Sequence, residues 1–198
     1  MSQSVKLPER YKIESELGSG GMGAVYKAFD TQMQRHVAVK LLRGFPGSSN
    51  EKKFLRFQKE ARALASISHD NLIGIFDFGV NDRNEPYLVM ELVHGVSLDQ
   101  FEKPDNDLQS LEFTIQAGIQ IASAMAHAHR HGVIHRDLKS SNILVVQDEK
   151  NLDKIKIIDF GLALVEKHSQ AEVVLTQANA ILGSPVSMSP EQIQGERG

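Results

Sequence analysis

The sequence predicts a bilobal α+β fold: a β-rich N-terminal lobe carrying one long helix, followed by a mainly helical C-terminal lobe. Three observations carry this expectation. Short runs that alternate apolar and polar residues dominate the stretch from Tyr11 to Leu42. Between Asn50 and Ser68 the apolar period changes to steps of three and four. Beyond Val93 a second, longer helical pattern follows and then gives way to two short apolar runs.

Taken in order, Tyr11–Leu17, Ala24–Phe29 and His36–Leu42 are expected strands, the first two joined by glycines. Phe54, Phe57, Ala61, Leu64 and Ser68 mark one inward face of the first helix. Leu72–Phe78 and Tyr87–Leu92 form two more strands around the turn-rich Asn81-Asp82-Arg83-Asn84. Gly95 is a candidate hinge, and Asp105-Asn106-Asp107 is a polar break. Ile115, Ile119, Ala122, Met125 and His129 then mark a long helix with a glycine cap expected at Gly132. Ile143–Val146 and Ile155–Ile158 are short buried strands, and Glu166–Leu182 is a long loop. The division expected is an N-terminal extension over 1–10, an N-lobe over about 11–92 and a partial C-lobe over about 93–198.

Composition narrows the class without naming a function. The 198 residues are 41% hydrophobic and 24% charged, an ordinary mixture for a globular protein with a core. A net charge of −3 without a long basic run leaves no electrostatic footprint for nucleic acid, so no nucleic-acid partner is expected. The chain has no cysteine, which excludes disulfides and thiolate metal sites and fits a reducing, cytoplasmic setting. Met1–Glu9 lacks the apolar core of a signal peptide, and no stretch approaches the ~20 apolar residues of a spanning helix. His127, His129, His131 and His135 invite a metal reading, but without a carboxylate or cysteine partner nearby they make a poor ligand set.

The segment Leu17-Gly18-Ser19-Gly20-Gly21-Met22-Gly23-Ala24-Val25 contains G-x-G-x-x-G-x-V. Glycines there let backbone N–H groups approach phosphate oxygens with no Cβ in the way. A dinucleotide-binding loop requires the glycines to open a helix. Here Ala24–Phe29 continues as a strand, so the glycines join two strands instead. Fifteen residues past Val25, Ala38-Val39-Lys40 sets a lysine in an apolar strand; on its own this is also how an edge-strand surface lysine reads. Glu60 lies mid-helix, beside Ala61, and an ion pair with it would hold the Lys40 ammonium as a fixed charge for phosphates. Further on come His135-Arg136-Asp137-Leu138-Lys139-Ser140-Ser141-Asn142 and, seventeen residues later, Asp159-Phe160-Gly161.

Five motifs in this order resemble the eukaryotic-type (Hanks-type) serine/threonine protein kinases, close to the bacterial members, over essentially all of Tyr11–Gly198. The resemblance implies a protein-kinase-like fold and transfer of the ATP γ-phosphoryl group, with Mg²⁺, to serine or threonine hydroxyls of protein substrates. It implies that Asp137 orients the acceptor hydroxyl and that Lys139 neutralises the moving phosphoryl group. Asn142 and Asp159 are the implied metal ligands. Leu17–Gly23 would cover the phosphates, and Val25, Ala38 and Leu144 would sandwich the adenine. Glu91 and Val93 would hydrogen-bond the adenine through their backbone, Met90 would guard the rear of the pocket, and Asp99 would reach the ribose. Leu64, Ile75, His135 and Phe160 resemble the apolar column of active members, and read equally as ordinary core.

By the same resemblance Arg136 would dock a phosphate, with Thr176 the candidate autophosphorylation site ahead of Ser169 and Ser184, and dimerisation a route to it. Ser189-Pro190-Glu191 matches the motif that closes this loop, while Ser187 replaces the usual tyrosine. The arginine partner of that glutamate and the terminal C-lobe helices are expected beyond Gly198. The expectation is therefore a C-terminally truncated domain, inactive alone, whose longer parent carries a membrane anchor or none. The competing class is a catalytically silent nucleotide-binding or scaffold module, against which Lys40, Asp137 and Asp159 all stand in place.

Overall fold

A computed structural model forms strands and two helices as the periodicity predicts, but the Tyr11–Leu17 alternation, which reads as a half-buried strand, is exposed throughout beyond Tyr11. It describes residues 7–20, 23–42, 51–102, 106–147 and 153–160. The chain order is β1 (Tyr11–Gly20), β2 (Gly23–Asp30), β3 (Arg35–Leu42), α1 (Glu51–Ala65), β4 (Ile75–Val80) and β5 (Pro86–Glu91). There follow β6 (Val96–Ser97), α2 (Asp107–Arg130), a 3₁₀ turn (Ser140–Asn142), β7 (Ile143–Gln147) and β8 (Asp153–Ile157). The described residues fall into two units, one within Met1–Ser68 and Ile73–His94, the other within His69–Leu72 and Gly95–Gly198. None of the described helices is long and apolar enough to cross a membrane.

The first unit is an antiparallel sheet in the order β1-β2-β3-β5-β4. Strand alternation divides β3 cleanly. Val37, Val39 and Leu41 join Tyr26, Tyr87 and Val89 in one core cluster. Ala38 and Lys40 therefore point to the opposite face. Helix α1 packs on β4, where Phe57 meets Phe78 edge-on with ring centroids 6.2 Å apart. Phe57, Ala61 and Leu64 are buried as the helical period predicts, whereas Ser68 is exposed beyond the helix end.

The edge of this unit is tied by charge. The Arg10 guanidinium donates from Nε and Nη2 to the two carboxylate oxygens of Asp30 at 2.9 and 2.8 Å, and from Nη1 to Asp77 at 3.1 Å. Tyr11 donates its hydroxyl to the same Asp77 oxygen. Asp30 also accepts the N–H groups of Gln32 and Met33, closing the β2–β3 turn. Arg10, and Leu7 packed on the core, are thus built into the sheet unit, so its structure begins before the Tyr11 boundary drawn from sequence.

In the second unit, Asn106 caps α2 by accepting the Leu108 N–H at 2.9 Å. At the far end Gly132 (φ +72°) and Val133 donate to His129 and Ala128, a left-handed glycine stop at the residue predicted. The buried face differs from expectation. Phe113, Ala117, Ala124 and Ala128 are buried, while Ile115, Ile119, Ala122 and His129 are exposed and Met125 is half-buried. Both stripes have helical spacing, and the small alanine face is the one that lets α2 approach β8. Leu108 (76% exposed), Leu111, Ile115 and Ile119 form an apolar stripe facing away from it.

The sheet of this unit runs β6-β7-β8. β6 was not anticipated; at Gly95, just before it, a Cβ would lie 2.7 Å from the Val145 carbonyl oxygen, so packing requires glycine there. By its sequence Leu72 reads as strand together with β4. Instead β4 starts at Ile75, and Leu72 bridges Ile157 in parallel within the second unit.

Arg10 holds the Asp30 carboxylate down at about 2 from 3.8, chiefly through the side-chain hydrogen bonds. A depressed folded-state value stabilises above the unfolded pKa and is lost as pH falls through the folded one, about 2 kcal/mol here. Asp30→Asn is expected to lower stability at neutral pH. It should also flatten the loss of stability between pH 4 and 2 measured by urea denaturation; an unchanged acid slope would refute the ion pair's role.

Candidate active site

In the first unit, strand register gathers several of the residues singled out. Val25 lies opposite Lys40, and Ala38 opposite Met90, so all four share the sheet face away from the tyrosine-rich core. Lys40 is 9% exposed although it carries an ammonium group. Glu60 is half-buried on α1. Glu91 ties down the start of β4: its N–H donates to the Gly74 carbonyl at 2.8 Å, and its Oε2 accepts the Gly74 N–H at 3.2 Å. With the Glu91 N–H engaged, its backbone contribution to a ligand must come from the carbonyl. Val93 follows, half-buried.

The glycine segment divides into two kinds of position. Gly18 and Gly20 lie on β1 opposite Val25 and Gly23. An added Cβ at either would meet nothing within 4 Å. Gly23 has φ +137°, and a Cβ there would sit 2.0 Å from the Leu41 carbonyl oxygen. Packing therefore demands glycine at Gly23 but not at Gly18 or Gly20, where side-chain absence keeps one surface open. Leu17 and Ser19 are exposed; Gly21 and Met22 lie outside the described residues.

In the second unit the motif following α2 is bound into one cluster. Asn142 donates its amide nitrogen to the Asp137 carbonyl at 2.8 Å and to the Asp137 carboxylate at 3.3 Å. Lys139 Nζ reaches the same carboxylate oxygen at 3.1 Å. Asn142 uses its nitrogen this way, so the amide oxygen is what it offers a cation. Ile158 joins this cluster to the strand behind: its N–H donates to the Asn142 carbonyl at 2.9 Å, and its carbonyl accepts from His135 Nε2 at 3.0 Å. Asp159 follows at φ +59°, and Phe160 is buried with its ring 4.6 Å from that of His135. Leu144 is half-buried on β7.

His135 is 2% exposed, and its two ring nitrogens have opposite duties. Nε2 faces a carbonyl, while Nδ1 accepts the Asp137 N–H at 3.3 Å. Only the neutral ring can do both. Burial lowers its pKa below the ordinary 6.5, against the raising influence of the Ile158 carbonyl and nearby carboxylates.

Among the described residues no group of three or more His, Cys, Asp or Glu side chains could hold a metal. His127 lies between His69 and His131, ring centroids 5.3 and 4.6 Å away. Gly161, Ser169, Thr176, Ser184, Ser187 and Ser189-Pro190-Glu191 lie outside the described residues. Asn71 and Gln120, which the sequence did not single out, hold the outer edge of β8. Neither sits in a motif, and isolated amides carry no periodic signal.

The protein kinase domain model matches residues 11–198, and the chain belongs to that family. It is 41% identical over 189 residues to a probable serine/threonine-protein kinase of Clostridium acetobutylicum, covering 96% of this chain and 27% of that protein. It is 41% identical to the probable serine/threonine-protein kinase PknB of Lactococcus lactis (94% and 28% covered). Identity to the serine/threonine-protein kinase PrkC of Bacillus subtilis is 36% (96% and 28%). The chain thus spans little more than a quarter of the length of these relatives. The resemblance to eukaryotic-type kinases of bacterial kind is borne out.

Among solved structures, a point mutant of the Mycobacterium tuberculosis PknI kinase domain matches at TM-score 0.70 and 22% identity, covering 100% of this chain and 71% of that one. The PknI kinase domain itself matches at 0.62 and 23%, covering 78% and 60%. At such identity these likenesses establish the fold, in agreement with the bilobal α+β expectation.

Two outcomes follow from this geometry. Gly23→Ala should lose at least about 1 kcal/mol in denaturant unfolding, and Gly18→Ala should stay within about 0.5 kcal/mol of the parent; equal losses would contradict the steric distinction. A His135 pKa lowered on folding gives stability that is complete above 6.5 and is lost as pH falls below it, because the unfolded chain takes up the proton first. His135→Phe should remove that part of the slope between pH 6.5 and 5 in urea midpoints, and a slope identical to the parent's would count against it.

Proposed function

We propose that this chain carries the catalytic core of a serine/threonine protein kinase that transfers the γ-phosphoryl group of ATP to serine or threonine hydroxyls of proteins. The observation that supports it best is the Asp137–Lys139–Asn142 cluster, hydrogen-bonded to Ile158, the residue before Asp159. The Asp137 carboxylate accepts from two side chains and would hold the acceptor hydroxyl for attack. Lys139, beside it, would offset negative charge on the transferred group.

The residues fit a magnesium nucleotide. The Asn142 amide oxygen and the Asp159 carboxylate are hard oxygen donors, and two of this type are what Mg²⁺ takes from proteins that bind it with phosphates. When bound, Mg²⁺ neutralises charge on the phosphate oxygens. Gly18 and Gly20, open where a Cβ would stand, leave room for phosphates to approach the β1–β2 backbone. Lys40, for which Glu60 would serve as the ion-pair partner, would present its ammonium to them. Val25, Ala38, Met90 and Leu144 would bound the adenine, with Glu91 and Val93 offering backbone groups. Thr176 is the proposed autophosphorylation site, reached by transfer between copies, and the lack of cysteine suits a cytoplasmic setting.

Asp137→Asn keeps the shape and the hydrogen-bonding acceptor but removes the charge. It should retain Mg²⁺-dependent ATP binding while phosphate transfer to a generic basic protein falls at least about a hundredfold. Mass spectrometry after ATP treatment should find phosphate on Thr176 in the parent and none in the variant. Binding without transfer in the parent chain would instead select a catalytically silent nucleotide-binding module.

A further inference from the structure

Among the described residues the outer edge of β8 has no neighbouring strand over most of its length, yet Ile155 and Ile157 on it are fully buried. Their backbone groups on that edge therefore need partners from elsewhere. For Ile155 two side-chain amides supply them. The Gln120 Oε1 on α2 accepts the Ile155 N–H at 2.9 Å, and the Asn71 Nδ2 donates to the Ile155 carbonyl at 2.7 Å. The same Asn71 nitrogen donates to the same Gln120 oxygen at 2.7 Å, closing a ring of three hydrogen bonds. Two residues along, the Ile157 N–H donates to the Asn71 carbonyl at 2.8 Å. Asn71 and Gln120 together act as a short surrogate strand.

What this edge holds is the approach to the candidate metal site. Beyond Ile157 the chain passes through Ile158, clamped between Asn142 and His135, and reaches Asp159 in a left-handed conformation. A slip or tilt of β8 would therefore move the Asp159 carboxylate relative to Asn142. The Gln120 oxygen bonds both the strand and the other amide, and so orients the Asn71 nitrogen from α2.

We propose that Gln120 is a positioning residue for the metal-binding pair, acting through Asn71 and β8 to set Asp159 against Asn142. This rests on the reading of Asn142 and Asp159 as ligands for a magnesium nucleotide. Gln120 touches neither nucleotide nor metal; its influence travels along β8. The two hydrogen bonds set an oxygen acceptor at this position as the requirement.

The test uses the full chain and two substitutions. Gln120→Leu removes the acceptor at similar size, and Gln120→Glu retains an oxygen that accepts both N–H groups. Without nucleotide, amide hydrogen exchange at Ile155 and Ile157 should accelerate at least about tenfold in the leucine variant, with Val39 and Val89 of the first unit unchanged. Titration of ATP binding with Mg²⁺ should show half-saturation raised about tenfold, as for loss of outer partners of metal ligands, with metal-free ATP binding unchanged. The glutamate variant should restore both readouts.

Exchange that accelerates throughout the chain, or a leucine variant with the parent's Mg²⁺ dependence, would overturn the positioning role. Failure of the glutamate variant to restore either readout would do the same. A parent chain with no Mg²⁺-dependent ATP binding would bring down the kinase reading and this proposal with it. That outcome is told apart by the parent titration alone.

Discussion

The backbone of Ile158 is the joint on which the second unit's site depends. One peptide N–H and one carbonyl, on a single residue, secure the carbonyl of Asn142 and the ring of His135. A typical hydrogen bond of this kind contributes about 1 kcal/mol net, but removing its partner leaves a buried polar group whose desolvation costs about 1–3 kcal/mol. The asymmetry matters more than the mean. Each of the three residues is held where it is because releasing it would strand the other two. His135, neutral and buried, then passes the constraint on through Nδ1 to the Asp137 N–H.

That chain of constraints explains how two residues with side chains come to occupy conformations that favour glycine. Arg136 has φ +61° and Asp159 φ +59°. Left-handed backbone at a non-glycine residue costs on the order of 1–2 kcal/mol. Both residues are flanked by positions that cannot relax: His135 and Asp137 around Arg136, Ile158 and the buried Phe160 around Asp159. The conformations persist because their neighbours are over-determined.

Much of this was legible in the sequence, and the parts that were not share a physical cause. Periodicity located α1 and α2, and the glycine stop at Gly132 fell where a left-handed cap was expected. Periodicity could not choose between the two apolar stripes of α2, because Ile115 and Ile119 recur at helical spacing as regularly as Phe113, Ala117, Ala124 and Ala128. Which stripe is buried depends on how closely β8 approaches, and small side chains permit that approach. Likewise Leu72 reads as strand beside Ile75, but its partner is Ile157, far along the chain. Motif residues such as Asp137, Lys139 and Asn142 were legible because chemistry restricts their types and spacing together. Gln120 and Asn71 were invisible because their role is set by a strand edge that only folding creates.

The same logic separates the glycines, and it is there that fold and function are most readily told apart. Gly23 is required by the sheet itself, since the Leu41 carbonyl occupies the place of a side chain. Gly18 and Gly20 answer to no such demand, and alanine at either position would cost the sheet no clash while restricting the unfolded chain. A sequence shaped for stability alone would have no reason to leave both bare. Their openness, on the strand that faces Val25, is therefore an argument for a ligand that comes close to the backbone. It is independent of the motif that first drew attention to them, because it rests on the space around two atoms that are missing.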